Sequence, residues 1–377
     1  FEISKVRRKY PMDPSVRLAV PDCPGLYKML RSNGDVLYVG KSTSLRRRVN
    51  SYFQKQTKHA EHILEMLTQA RSIDISTTES ALEAALTESD EIKHLSPPYN
   101  VALRERDRTI GFWTADLRQF DSKPSSSHRF GPVPAFEAFQ IIPDLCRVEP
   151  SSKATNLDGR LTSAQLSFPE DRGPDVATLA SGIEEFRLKH GRYFKTTPTI
   201  ARSIVSLGFE LWKVRQMERA QEEEETIAKT EVDPTQSDTE ESKEWDSERV
   251  VSLFESHVSR AAHLLRRARW FSLLSECSLA WNRLSPSSEK KHLIIIRSGK
   301  FADRDTLDRD QSPPVPPGFR KPILDRQASF DLAAYDRLSI LTTELKRLSG
   351  SGRKIELRLG KRSVLTESEL ERVLSWL

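Results

Sequence analysis

Apolar and polar residues alternate in two short runs near the start of the chain, Gly25-Leu26-Tyr27 and Tyr38-Val39-Gly40, on either side of Ser32-Asn33-Gly34-Asp35. Alternation predicts strands, and Asn-Gly between such runs is a strong hairpin signal because both residues tolerate positive φ. A hairpin places Tyr27 and Tyr38 near each other, and Gly40 is read as the point where the chain turns toward a helix over 44–53. Helical spacing of Ile63, Met66 and Leu67 predicts a second helix over 59–71. A third strand is expected over 72–78, with Ile73 and Ile75 on one face. Ser80 is the natural N-cap of a helix carrying Leu82, Glu83, Leu86, Glu88, Ile92 and Leu95, which Pro97-Pro98 ends.

Past Asn100 the pattern weakens. Gly111-Phe112-Trp113 reads as a strand and Ser122–Ser127 as a Ser-rich linker. Residues 150–215 read as mostly helical, clearest over Ile200–Trp212. A long helical pattern runs from Arg249 to Trp281. Strands are expected over 293–298 and 354–359, with a helix over 331–348 between them. The expected division is a basic leader (1–20), a small α/β domain (21–105), a mostly helical connecting region (106–215), an acidic disordered insertion (216–249) and a C-terminal α+β domain (250–377).

Charge sharpens this picture. The net charge of +5 is modest, yet Val36–Ala60 holds six Lys or Arg residues and no carboxylate. Glu218–Glu248 holds thirteen acids against three bases, a local −10, which leaves about +15 on the remainder. The longest apolar runs, such as His292–Ile296, are far too short to span a bilayer. The chain opens at Phe1, without an initiator methionine, and shows no signal-peptide pattern. Cys23, Cys146 and Cys277 are odd in number and far apart, which argues against a disulfide framework and fits a reducing cytoplasm.

The local pattern resembles the GIY-YIG endonucleases, in particular the N-terminal domain of the nuclease subunit of excinuclease ABC and the shorter Cho-type excinuclease. Tyr38-Val39-Gly40-Lys41 precedes Leu45-Arg46-Arg47-Arg48-Val49-Asn50-Ser51-Tyr52-Phe53, followed by Glu83-Ala84, Glu88, Ile92-Lys93 and Pro97-Pro98-Tyr99-Asn100. Leu26 stands where the family name has isoleucine, a mild change in a strand. The resemblance covers about residues 20–105 and implies a three-stranded antiparallel sheet flanked by helices. Downstream, Gly131-Pro132-Val133-Pro134 and the apolar-periodic helix after it resemble a segment that follows the nuclease domain in the same excinuclease protein.

Phosphodiester hydrolysis needs an activated water and stabilisation of charge on the phosphoryl and leaving oxygens. Magnesium keeps several waters, so one carboxylate can hold it. By its place in the motif Glu88 resembles the family's ligand for Mg²⁺ or Mn²⁺. A phenol with a reference pKa near ~10 is a poor base unless nearby cations favour its ionised form. Tyr38 has Lys41 and Arg48 as such neighbours and is assigned as general base. Tyr27 would orient the attacking water, Arg48 would stabilise phosphoryl oxygens, and Lys41 would tune Tyr38 or contact phosphate. Tyr52 and Asn100 resemble supporting positions. Arg46, Arg47 and Lys55 are expected to contact DNA.

Each of these residues has a plainer role open to it alone: strand tyrosines pack, and helical glutamates sit in solvent. Glu83 reads better as a helix-face or pairing residue. His59 and His62 lack partners at zinc spacing. Cys146 stands alone where an iron–sulfur cluster would need several cysteines, and no second nuclease or helix-hairpin-helix pattern is visible. The expected function is a single-incision, Cho-like endonuclease in nucleotide excision repair, acting on DNA with a damage-recognition helicase subunit, in the cytoplasm and away from membranes. Two alternatives stand beside it: a structure-specific nuclease for branched or mobile-element DNA, and a catalytically silent DNA-binding protein.

Overall fold

A computed structural model describes residues 10–54, 59–100, 109–134, 139, 142, 145, 173–195, 199–228, 245–283, 289–316, 318 and 330–377, with backbone alone at 220 and 222–228. The chain divides into two compact units. The first comprises Phe1–Arg108, Ser278–Pro314 and Asp331–Leu357, and the second Thr109–Cys277, Val315–Phe330 and Arg358–Leu377. This interleaving differs from the division expected from sequence. Residues 250–377 do not cluster as one domain, because two of their segments group with the N-terminal unit.

In the first unit, α1 (Pro14–Leu18) precedes β1 (Gly25–Leu30), β2 (Val36–Ser42), α2 (Leu45–Ser51), α3 (Glu61–Gln69), β3 (Ser72–Thr77) and α4 (Ala81–Leu95). The sheet has the order β2-β1-β3, with β1 antiparallel to both neighbours. Being central, β1 is covered on both faces. Tyr27 and Met29 pack with Leu45, Val49, Tyr52, Met66 and Leu67 from the helices on one side. Leu26 packs with Val39, Ala84 and Ile92 on the other. The sequence-expected helices lie where their caps place them: the hydroxyls of Ser44 and Ser80 accept from the backbone N–H of Arg47 and Glu83.

The hairpin is wider than a two-residue Asn-Gly turn. Met29 pairs with Tyr38 and Leu30 with Val36, so Leu37 is an extra residue in a β-bulge. Only Gly34 takes a positive φ, 89°, and Asn33 instead bonds through its side chain to Asp35.

The C-terminal part of the first unit supplies β7 (Cys277–Asn282), β8 (Lys290–Arg297), β9 (Lys300–Asp308), α9 (Leu332–Ser349) and β10 (Ile355–Arg358). Within their five-stranded sheet these four run in the order β10-β7-β8-β9. The helical pattern expected over Arg249–Trp281 ends at Leu274 instead. Residues 277–281 are all buried, and a wholly buried strand has no alternation to distinguish it from a buried helix. Strand β9 was not expected from the sequence. It is a largely exposed strand rich in charge, and such residues protect a free edge while erasing its apolar pattern.

The second unit holds β4 (Ile110–Thr114), β5 (Phe120–Asp121) and β6 (His128–Pro134), in the order β5-β4-β6, with α5 (Val176–His190), α6 (Arg192–Lys195), α7 (Ile200–Ala228) and α8 (Ser247–Leu274). Phe186, Ile204, Phe254 and Val258 are central to its core. The chain from Glu218 to Ala228, expected to begin a disordered insertion, continues α7 as helix. Residues 229–244 of that acidic stretch, like Cys146 and Lys55, lie outside the described residues. No described helix is long and apolar enough to cross a membrane.

Candidate active site

The site forms along β2, an edge strand whose outward backbone groups need partners. Three alternate residues find them in the N-terminal segment itself. Leu37 O accepts from Tyr99 N at 3.1 Å. Val39 N donates to Asn100 Oδ1 and Val39 O accepts from Asn100 Nδ2, each at 2.8 Å. Lys41 N donates to Glu88 Oε1 at 3.0 Å. Asn100 therefore acts as a one-residue strand against β2. This geometry accounts for its burial without any part in the chemistry, which narrows the supporting role expected of it.

Tyr27, Tyr38 and Gly40 share one face of the sheet, because Tyr27 pairs with Gly40 and Met29 with Tyr38. Tyr27 lies across Gly40. A Cβ there would overlap the Oη and Cζ of Tyr27 and reach Cε1 of Tyr38. Gly40 is thus in mid-strand, not at the turn expected from sequence, and its bare Cα is what admits the phenol. The Tyr27 and Tyr52 hydroxyls are 2.7 Å apart, and the Tyr27 ring centroid is 6.1 Å from those of both Tyr38 and Tyr52. Arg48, in the last turn of α2, stacks its guanidinium 4.9 Å from the centre of the Tyr52 ring.

On the other side of β2, α4 delivers Glu88. Its Oε2 is 3.7 Å from Lys41 Nζ, so one residue holds it by backbone and side chain together. Burial raises the Glu88 carboxyl above its ordinary value, and this outweighs the opposing pull of Lys41 and Arg48. The carboxylate is therefore under-compensated where it stands. Among the described residues no group of three or more His, Cys, Asp or Glu could hold a metal ion. A single carboxylate of this kind fits a hard divalent cation that keeps most of its waters, and does not fit zinc.

The phenols depart from expectation in one respect. Burial raises Tyr38 well above the ordinary phenol value, Tyr52 and Glu88 add to the effect, and Arg48 only partly opposes it. Tyr27 is raised in the same way, by burial first and then by Tyr52 and Tyr38. In this geometry desolvation wins over the neighbouring cations, the reverse of the sequence argument.

The remaining expected residues divide by position. Arg46 donates through Nε to Val20 O at 2.8 Å, which ties α2 to the segment before β1, while its residue as a whole stays exposed. Arg47 is exposed on the same helix. Glu83 caps its own helix, accepting from Glu79 N at 3.0 Å, and pairs with Arg304. His59 hydrogen bonds to Tyr52 O at 2.9 Å. One neighbour was not foreseen: Glu344, from α9, lies 3.5 Å from Lys41 Nζ. Separated from Lys41 by 303 positions, it leaves no signal in the local motif.

Residues 23–101, which hold the three-stranded sheet, the clustered phenols and Glu88, match the model of the UvrC-like GIY-YIG domain. Among individual relatives, UvrABC system protein C of Legionella pneumophila (strain Lens) is 42% identical over 128 residues, 32% of this chain and 20% of that protein. The same-named protein of Salinibacter ruber (strain DSM 13855 / M31) is 34% identical over 147 residues, 37% of this chain and 23% of that one. The GIY-YIG N-terminal endonuclease domain of UvrC from Thermotoga maritima, solved bound to magnesium as its catalytic divalent cation, is 29% identical. It covers 24% of this chain and 100% of that domain, with a TM-score of 0.22. The chain spans about a fifth of the length of the curated relatives it matches.

Proposed function

We propose that the chain is a metal-dependent DNA endonuclease of excision repair, with its active site along β2. The observation that carries this reading is the Glu88 carboxylate, held by the backbone and the side chain of Lys41 beside three clustered phenols and Arg48. A Mg²⁺ or Mn²⁺ ion held by Glu88 would polarise the scissile phosphate and make a nearby water more acidic. Tyr38 takes a proton from the attacking water in its ionised form. Tyr27, held by its hydrogen bond to Tyr52, orients that water. Arg48 meets the charge that develops on the phosphoryl oxygens, and Lys41 contacts the phosphate. Asn100 keeps β2 in register so that these groups converge.

The finer reading is a single-incision excinuclease of the Cho type, loaded on damaged DNA by a helicase subunit. It is supported by the match of residues 23–101 to the UvrC-like GIY-YIG domain, with the likeness to UvrABC system protein C confined to about a third of this chain. The test is incision of an end-labelled duplex with one bulky lesion, with and without the damage-recognition helicase subunit, in Mg²⁺ or Mn²⁺. One metal-dependent nick per lesion is expected. Glu88→Gln is expected to abolish nicking while leaving DNA affinity nearly unchanged. Cleavage of flaps and forks in preference to the lesion would point instead to a structure-specific nuclease. No nicking of any substrate would leave a silent DNA-binding protein.

A further inference from the structure

Helix α9 lies far outside the matched segment, yet it reaches the candidate site. Its Glu344 is a carboxylate with only 9% of its side chain exposed, a costly placement unless its charge is compensated. Oε1 lies 3.5 Å from Lys41 Nζ. Oε2 forms an ion pair with Arg347 at 2.7 Å, one helical turn on. Lys41 itself sits between two carboxylates, with Glu88 Oε2 at 3.7 Å. The helix is pinned in this position by further pairs to α4, the helix that carries Glu88. Arg337 Nε meets Asp90 Oδ1 at 2.7 Å, and Lys93 Nζ meets Asp336 Oδ2 at 3.0 Å.

We propose that Glu344 is a positioning residue of the nuclease site, holding the Lys41 ammonium so that Glu88 stays available to a divalent cation. The inference rests on the nuclease reading above and adds to it a dependence on the C-terminal segments. Its logic is competition. An ammonium with one acidic neighbour pairs with it fully and shields it from a metal ion. With two, it is shared, and the second carboxylate also adds negative charge close to the cation. Removing the charge of Glu344 turns Lys41 wholly toward Glu88, and both consequences weaken cation binding.

The experiment measures Mn²⁺ binding to the full chain by electron paramagnetic resonance, alongside the Mg²⁺ concentration that gives half-maximal nicking. Glu344→Gln keeps the shape of the side chain and is expected to raise both concentrations roughly threefold or more, the size of one charge acting over a short, partly solvated distance. Arg347→Ala releases Oε2 and is expected to shift both in the opposite direction. In a Lys41→Met background the effect of Glu344→Gln should shrink markedly, because most of it passes through the ammonium. Asp90→Asn breaks a pair between α4 and α9 that does not touch Lys41. It should lower the melting temperature without moving cation affinity.

Unchanged Mn²⁺ affinity in a folded Glu344→Gln protein, with wild type both binding and nicking, overturns the inference and leaves the nuclease reading in place. An equal loss of affinity in Asp90→Asn also overturns it, since Glu344 would then act only by anchoring the helix. Wild type that neither binds Mn²⁺ nor nicks overturns both readings together.

Discussion

Asn100 and Val39 exchange two hydrogen bonds, each 2.8 Å long, so a single side chain pairs both backbone groups at the middle of the free edge of the strand that carries Tyr38, Gly40 and Lys41. The amide supplies one donor and one acceptor in the spacing of a neighbouring strand, which no smaller side chain can do. Asn100→Ala leaves a buried N–H and C=O unpaired, at a cost of about 2–4 kcal/mol by the usual penalty for such groups. Chemical denaturation should show that loss, and nicking should fall with it as β2 loosens. Lost nicking at unchanged stability would return Asn100 to the chemistry.

Gly40 offers a test in which no reactive group is touched. A methyl at this position would overlap the Tyr27 phenol, and that ring has no room to move, being fully buried. Gly40→Ala is expected to destabilise the unit by about 1–3 kcal/mol, the usual range for overpacking a tight core. Nicking should fall far more than stability, because the displaced ring is the one proposed to orient the water. An activity loss no larger than the unfolded fraction would show that Tyr27 need not sit where it does.

The reach of sequence in this chain follows the range of the forces involved. The three strands of the N-terminal sheet and the Ser80 cap were legible because each depends on residues a few positions apart, and the order Tyr27, Tyr38, Lys41, Arg48, Glu88 was legible through the family motif it resembles. The balance at Tyr38 was not, because it depends on how deeply the ring is buried, and a nearby Arg48 says nothing of desolvation. The purpose of Gly40 was misread for a related reason. Its constraint comes from a side chain across the sheet, whereas sequence offers only the habit of glycine at turns. Strand β9 and Glu344 were out of reach: one is an edge strand without apolar periodicity, and the other acts 303 positions from its partner.

The pH profile of nicking should rise toward alkali. In the proposed mechanism both Tyr38 and Glu88 work deprotonated, and burial raises each above its ordinary value. Activity therefore falls as pH falls. Below the Tyr38 value the ionised fraction changes roughly tenfold per pH unit, so the rate should climb without a plateau through neutrality. Tyr38→Phe should remove most of the rate and flatten the climb. A wild-type profile level from mild acid to mild alkali would exclude Tyr38 as the base.

The second unit carries its own acid sensitivity. Glu255 accepts from His190 Nε2 at 2.7 Å and pairs with Lys189 at 2.9 Å, and the bond to His190 holds its carboxyl below the ordinary 4.5 despite burial. A lowered folded value means that the unfolded chain binds the proton more readily. The contribution is therefore complete above the unfolded pKa and lost as pH falls through the folded one. Thermal melts should drop across that acid window, and Glu255→Gln should lower stability at neutral pH while flattening the drop. Identical pH dependence in the two proteins would mean that other carboxylates govern acid unfolding.

Neighbouring arginines on α2 should separate into two behaviours. Arg48 stacks on Tyr52 beside the phenols, and in the proposed mechanism it acts on charge that exists only in the transition state. Arg48→Ala should lower turnover by roughly a hundredfold, the scale of one lost electrostatic stabiliser, with little change in DNA affinity. Arg47 is exposed on the same helix and should contribute to binding through phosphate alone. Arg47→Ala should weaken binding to all sequences alike and reduce the slope of log affinity against log salt by roughly one. Arg46 combines both kinds of work, because its Nε also holds Val20 O at 2.8 Å. Its alanine variant should lose salt-dependent affinity and about 1 kcal/mol of stability as well. Binding isotherms at several salt concentrations, single-turnover nicking and denaturation curves on the same three variants separate these outcomes. A catalytically dead Arg46→Ala beside an Arg48→Ala that only binds weakly would shift the register of the helix by half a turn and move the phosphate to its other side.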